Sequence, residues 1–290
     1  MYRRFLWPAN LVMTPTGLLT GVLIYAIQRR VECSELTSLV GMALFYVNKE
    51  ILVTSVGGME TPLVICLMAL SLLALMGRHN TLALVLCSVL ILTRIDSHVW
   101  SSLVFGGICL RDRRVPYRSA LIRALVILPW VVFAVSYFGT VIPHALVAKR
   151  AIGGVSTVSL LSLDAFSEFA KWYTIALGYG HPWRFVLWAT VLLVGALKWF
   201  RDDDDRLSKR LVICYPILYG LFLCLGRAPG FHWYAAPPLF CCILLSAVGG
   251  QLARPESLLC PPVRTTQACG KVNTGIRRTK LARDASLANG

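Results

Sequence analysis

Long apolar runs broken by short polar turns recur along the chain, near residues 11 to 28, 36 to 53, 61 to 77, 81 to 93, 97 to 110, 119 to 138, 182 to 200, 211 to 226 and 232 to 250. No polar face repeats along them, so they do not read as the amphipathic helices of a water-soluble core. A helix that crosses a bilayer needs about 20 mainly apolar residues. On that measure the pattern predicts an all-α, polytopic integral membrane protein with about nine transmembrane helices. The two short runs, 81 to 93 and 97 to 110, are predicted to form a hairpin around TRIDS. At about 1.5 Å per residue neither reaches both water surfaces, so their turn is expected below one surface, lining a water-filled cleft rather than lipid.

The one long polar departure lies between Phe138 and His181. Within it LDAFSEFAKWYTIAL places Leu163, Phe166, Phe169, Tyr173 and Leu177 near a helical period, with Asp164, Ser167, Glu168 and Lys171 between them. Too polar to span, it is expected to lie as a helix at the membrane interface. Residues 1–250 are therefore predicted to form a transmembrane domain, and 251–290, rich in Arg, Thr, Pro and Gly and without periodicity, a disordered basic tail.

Charge orients this arrangement. Of 290 residues 57% are hydrophobic and only 15% charged, with a formal charge of +15 and a mean hydropathy of +0.66. The basic excess does not imply a nucleic-acid partner, because the Lys and Arg fall in short clusters between apolar runs instead of forming one basic stripe. With the hairpin in place, Arg29 and Arg30, GRHN at 77 to 80, RDRRVPYR at 111 to 118, KWFRDDDDRLSKR at 198 to 210 and the tail share one side. The positive-inside rule makes that side cytoplasmic. The N-terminal MYRRFLWPAN, the VGGMET turn, TRIDSH, the long loop and GRAPGFHWY then lie outside. Of the ten cysteines none falls in an external loop and no CxxC pair occurs, so neither a disulfide nor a zinc site is indicated.

Four external turns carry candidate chemistry. Glu60 stands after Gly57 and Gly58 and before Pro62, where an acid either caps a helix dipole or marks a ligand site at the membrane edge. Arg94 and Asp96 interrupt the hairpin, as a binding pair or as a structural one. His144, Lys149 and Arg150 follow a predicted span, and Arg227, His232 and Tyr234 precede the last one. Such cations suit a phosphate or a lipid headgroup. The aspartates 202 to 205 sit between Arg201 and Arg206 on the opposite side and read as a solvated acidic loop rather than a metal site.

The order VGGMETPL, LTRIDS, a basic loop, YFGTVIPHALVAK and FHWYAAPPL resembles integral-membrane glycosyltransferases of the GT-C class, especially bacterial relatives of the arabinofuranosyl- and mannosyltransferases. Those proteins show SGMET-PL, LTRPEG, YYGxxLPNTxxAK and RYxxPxxP at these points, and the similarity runs from about Thr14 to Gly250. It implies a multi-pass protein of a bacterial-type inner (plasma) membrane. Its partners would be a lipid-linked sugar donor and a glycan or lipid acceptor, joined on the external face with inversion and without a nucleotide sugar. Arg94, Lys149, Arg227 and His232 would then face the lipid phosphate, with Glu60, Asp96, His144 and Tyr234 as further substrate-binding candidates. The family's general base is an aspartate in a first external loop, after an additional helix. No Asp or Glu precedes Thr14, so the resemblance assigns no catalytic residue, and the expectation is a transferase-like protein, either active or a truncated or inactive member. Ile95, Asp96, His144 and Trp233 replace the family's Pro, Glu, Asn and Arg. The cofactor is left open, a divalent metal included, with no residue set that marks its site. The competing expectation is a transporter or scaffold that binds a lipid-linked or anionic ligand without chemistry, although no internal repeat of the inverted-transporter kind is present.

Overall fold

The computed structural model describes residues 3–56, 59–141, 182–201, 205–225 and 234–252. All of them belong to one compact unit, Met1–Arg254, and the second unit, Pro255–Gly290, lies outside them. Regular structure among the described residues is entirely helical, as the run pattern predicts. Helix α1 is Arg3–Arg30, α2 Glu35–Val47, α3 Lys49–Val56, α4 Thr61–Met76, α5 Asn80–Thr93, α6 His98–Asp112 and α7 Tyr117–Phe138. Beyond the undescribed loop come α8 (Pro182–Arg201), α9 (Arg206–Leu225) and α10 (Ala236–Leu252). The predicted interfacial helix and the basic tail fall outside the described residues, save that α10 runs on to Leu252.

Helix α4 is the centre of the bundle. Its sequence TPLVICLMALSLLALM is apolar on every side, and a helix of that kind must be buried all round. Thr61, Pro62, Val64 to Ala69, Ser71, Leu72, Ala74 and Leu75 are indeed buried, against α1, α5, α3 and α10. Pro62 costs nothing in the first turn, where its missing N–H has no partner to lose. Helix α10 is the second buried element, closed from Ala236 to Val248 and packed on α8, α2 and α9.

The α8–α10 crossing is made by glycines. A Cβ on Gly195 would overlap the Leu245 carbonyl oxygen, and one on Gly249 would overlap the Val191 carbonyl oxygen. Only backbone fits between the two helices, the packing that small residues permit where helices meet in lipid.

The apolar run 36 to 53 is not one helix, contrary to the simple run pattern. It breaks at Asn48 into α2 and α3, bent by 59°. Asn48 leaves helical geometry at ψ 120°, and its side-chain oxygen accepts from the N–H groups of Glu50 at 3.1 Å and Ile51 at 3.3 Å. Asparagine here ends one helix and caps the next, the competition with the helical ladder that keeps it out of helix interiors. The first helix also starts earlier than its apolar run: residues 3 to 10 continue α1 as helix.

Among the described residues two helical stretches are long and apolar enough to cross a membrane, Leu11–Arg30 and Tyr117–Phe138, and a third if the bent pair α2 and α3 counts as one span. Nine such helices are not evident by length and composition. The α7 window is only 6% buried although it is the more apolar of the two single-helix stretches. Leu121, Leu125, Leu128, Val132, Phe133 and Val135 all stand exposed on it. Exposed apolar side chains continue over α1, α2, α8 and α9, a far larger uncovered area than a water-soluble monomer shows.

The ends of the bundle differ in charge. Arg30 Nη2 donates to the Met76 carbonyl at 3.4 Å, Arg111 Nη2 to Asn80 Oδ1 at 2.7 Å, and the Thr81 and Ser119 hydroxyls lie 2.9 Å apart. These contacts gather the turns α1–α2, α4–α5 and α6–α7 at one end, the arginine end, as the hairpin arrangement requires. Glu60, Arg94 and Asp96 collect at the other.

Candidate functional site

The TRIDS hairpin builds the site because Arg94 cannot stay helical. It takes an extended conformation, φ −150° and ψ 133°, closing α5, after which Ile95–Ser97 form one 3-10 turn and α6 begins at His98. That geometry folds the guanidinium back onto the carboxylate two residues on. Arg94 Nε donates to Asp96 Oδ1 at 3.0 Å and Nη2 to Oδ2 at 2.7 Å, a bidentate fork. Nη1 donates to Thr61 Oγ1 at 3.2 Å, tying the hairpin to the first residue of α4. Three of the five N–H donors of a guanidinium are thereby committed.

Asp96 is held equally firmly. The Tyr219 hydroxyl, in the middle of α9, donates to Asp96 Oδ2 at 2.5 Å. Behind it the Tyr215 and Tyr219 rings lie 5.3 Å apart. Tyr215 packs edge-on to Trp100 at 5.1 Å, and Trp100 Nε1 donates to Ser71 Oγ of α4 at 2.9 Å. A buried chain of hydrogen bonds and ring contacts therefore runs from the Asp96 carboxylate into the helical core. Both charged side chains are nearly closed to solvent, Arg94 at 6% and Asp96 at 9%. Buried charges of this kind persist only when paired and hydrogen-bonded, which these are.

Glu60 behaves differently. It stands at the N-cap of α4, where its charge complements the helix dipole, but it makes no side-chain cap hydrogen bond. Its carboxylate is 52% exposed and lies 4.0 Å from Arg94 Nε, an open contact at the rim of the buried pair. On the other side the Tyr234 ring lies under the guanidinium, 5.3 Å from ring centre to Arg94 Cζ. Four of the eight sequence candidates, Glu60, Arg94, Asp96 and Tyr234, thus meet at one place from three separate parts of the chain. His144, Lys149, Arg227 and His232 lie outside the described residues.

The described cluster holds one cation against two carboxylates, and its cation is already occupied. Arg94 consequently serves as the organising centre of the site rather than as a free phosphate ligand. Thr61 and Tyr219 belong to the cluster and were not among the sequence candidates. The Tyr215 and Tyr219 spacing of four residues, which puts two hydroxyls on one helix face within an apolar run, is a signal that could have found Tyr219; nothing comparable marks Thr61. Among the described residues no group of His, Cys, Asp or Glu is arranged to hold a metal ion. Comparison with protein-family models, with curated proteins and with solved structures finds no match to this chain.

Proposed function

We propose that this chain is a polytopic membrane protein of the GT-C glycosyltransferase kind. In this reading it receives a polyprenyl-phosphate sugar at the Glu60 end of the bundle, on the external face, for transfer to a cell-envelope glycan or lipid. The observation that carries the reading is the convergence of the VGGMETPL, LTRIDS and HWYAAPPL segments, distant in sequence, on the Arg94 guanidinium. The short helices support it too. A 16-residue α4 is about 24 Å long and a 14-residue α5 about 21 Å, against about 30 Å of hydrocarbon. With the arginine end in one headgroup layer, the Glu60 end falls short of the other, in a recess that a lipid-borne donor reaches from the side. The nine apolar runs act as passes in this reading, the short ones because they surround that recess.

Within the recess Arg94 and Asp96 are structural and Glu60 is the acid that faces a ligand, placed to accept a hydrogen bond from a sugar hydroxyl. The lipid phosphate falls to Lys149, Arg227 and His232, since the described cluster has no spare cation. A second reading, a non-catalytic binder of a lipid-linked ligand, is favoured by one observation: both charged groups at the centre are already satisfied by protein partners.

The experiment is transfer of labelled sugar from a polyprenyl-phosphate donor in membranes containing the chain. Wild type is expected to transfer and Glu60→Gln to lose about tenfold or more at equal abundance, the worth of one hydrogen bond to a charged group. Full transfer by Glu60→Gln would remove Glu60 from the site. Donor binding without transfer by wild type would establish the second reading.

A further inference from the structure

The arginine end carries a pattern that neither the fold nor the proposed transfer requires. Among the described residues four that are not glycine have a positive φ: Glu32 at 62°, Arg78 at 59°, Arg113 at 49° and Asp205 at 44°. Each lies in a different turn, α1–α2, α4–α5, α6–α7 and α8–α9. Glycine is the residue that takes this left-handed conformation without steric cost, and it closes helices for that reason. At the opposite end the chain follows the rule, closing α7 with Gly139 at φ 70°. At the arginine end it does not, even where glycine is adjacent. Gly77 takes an ordinary φ of −77°, and the next residue, Arg78, takes the left-handed position.

Glu32 and Asp205 show that the position does not demand a cation, so the two arginines need their own reason. The side chains of Arg78 and Arg113 are exposed, and neither guanidinium makes a hydrogen bond or ion pair with the described residues. Exposed Arg29, Arg30, Arg114 and Arg118 lie in the same three turns. The acids of those turns are Glu32, the exposed Glu35 and Asp112, and Asp112 is already taken by Arg111 at 3.0 Å. Two exposed guanidiniums with no partner among the described residues thus stand at the rim of a bundle whose sides are apolar.

We propose that Arg78 and Arg113 are headgroup ligands: with Arg30, Arg114 and Arg118 they form a cationic rim that binds the phosphates of anionic phospholipids in the leaflet at the arginine end. The occupant follows from charge and position. A phosphate offers the planar fork of arginine two acceptor oxygens, and a leaflet presents such phosphates at the level where the apolar sides of α1 and α7 end. The proposal rests on the chain spanning a bilayer and is independent of sugar transfer.

The test uses the full chain in bilayer discs of phosphatidylcholine alone and of phosphatidylcholine with phosphatidylglycerol, read as thermal unfolding midpoint. Wild type is expected to melt higher in the anionic discs, with the increment shrinking as salt is raised. The double variant Arg78→Gly/Arg113→Gly is expected to match or exceed wild type in neutral discs, because glycine relieves the backbone, and to lose roughly half or more of the anionic increment. Arg78→Asn/Arg113→Asn, which also accepts the left-handed conformation, is expected to do the same. Retention of the full increment by both variants overturns the proposal, as does a double variant less stable than wild type in neutral discs. A rise of equal size when heparin is added to neutral discs assigns the rim to a soluble polyanion instead and also overturns it.

Discussion

Asp96→Ala is expected to destabilise the folded chain by about 3–5 kcal/mol, the cost of removing one partner from a buried ion pair. The substitution takes two acceptor oxygens from Arg94 and the acceptor of the Tyr219 hydroxyl, leaving a guanidinium that is 6% exposed and whose next carboxylate among the described residues is Glu60 at 4.0 Å. Glu60 cannot replace Asp96 without leaving the solvent-facing rim. Removing both charges at once, in Arg94→Met/Asp96→Leu, avoids the stranded cation and is expected to cost far less than Asp96→Ala. Tyr219→Phe should fall between, at about 1.5–3 kcal/mol for a hydrogen bond to a charged group. Denaturant unfolding in mild detergent measures all three. An Asp96→Ala cost below about 1 kcal/mol, or a double variant worse than the single, would show that the pair does not organise this end of the bundle.

Gly195→Ala is the second large effect, and its size comes from what the new methyl meets. A side-chain neighbour can rotate away, but the Leu245 carbonyl oxygen is part of the α10 ladder and moves only with the helix. An added methyl at a filled position costs about 1–3 kcal/mol when neighbours adjust. Here α8 and α10 have to separate, so the upper part of that range or beyond is expected, and the same holds for Gly249→Ala against the Val191 carbonyl. Gly106→Ala and Gly250→Ala are the controls, since nothing lies within 4 Å of either position. They are expected to be neutral or to stabilise by about 0.5–1 kcal/mol, the helix preference of alanine over glycine. The melting midpoints of the four variants separate a packing role from a general intolerance of alanine.

The fold was legible in the sequence to the extent that apolar run length reports helices. All nine runs contain helix, and the choice of a hairpin at TRIDS, made from charge placement, agrees with Arg94 leaving helical geometry there. The break at Asn48 was hidden because hydropathy does not register a single capping amide inside an apolar run. The site was half legible. Glu60, Arg94, Asp96 and Tyr234 stood out as ionisable or aromatic interruptions near helix ends, and they do meet. Their division of labour was not readable, because it depends on Tyr219, 123 residues from Asp96, committing the carboxylate that a free site would leave open. Nor does a sequence show that Arg94 has three donors spent; only the folded geometry of its turn does.

The central claim is that the Glu60 end and the arginine end face opposite sides of a membrane. Single cysteines at Val141, exposed beyond α7, and at Arg114, exposed between α6 and α7, test it with a membrane-impermeant maleimide on intact cells. The blank is the chain with Cys214, Cys260 and Cys269 replaced by serine, and both variants are made on it. Its remaining cysteine in the described arginine-end turns, Cys33, is 1% exposed. Burial pushes that thiol up to about 11 against the lowering pull of Lys198 and Arg29, so it stays protonated and unreactive at neutral pH. Val141→Cys is expected to label from outside, and Arg114→Cys only after the membrane is opened. Labelling of both from the same side of an intact membrane would contradict the claim.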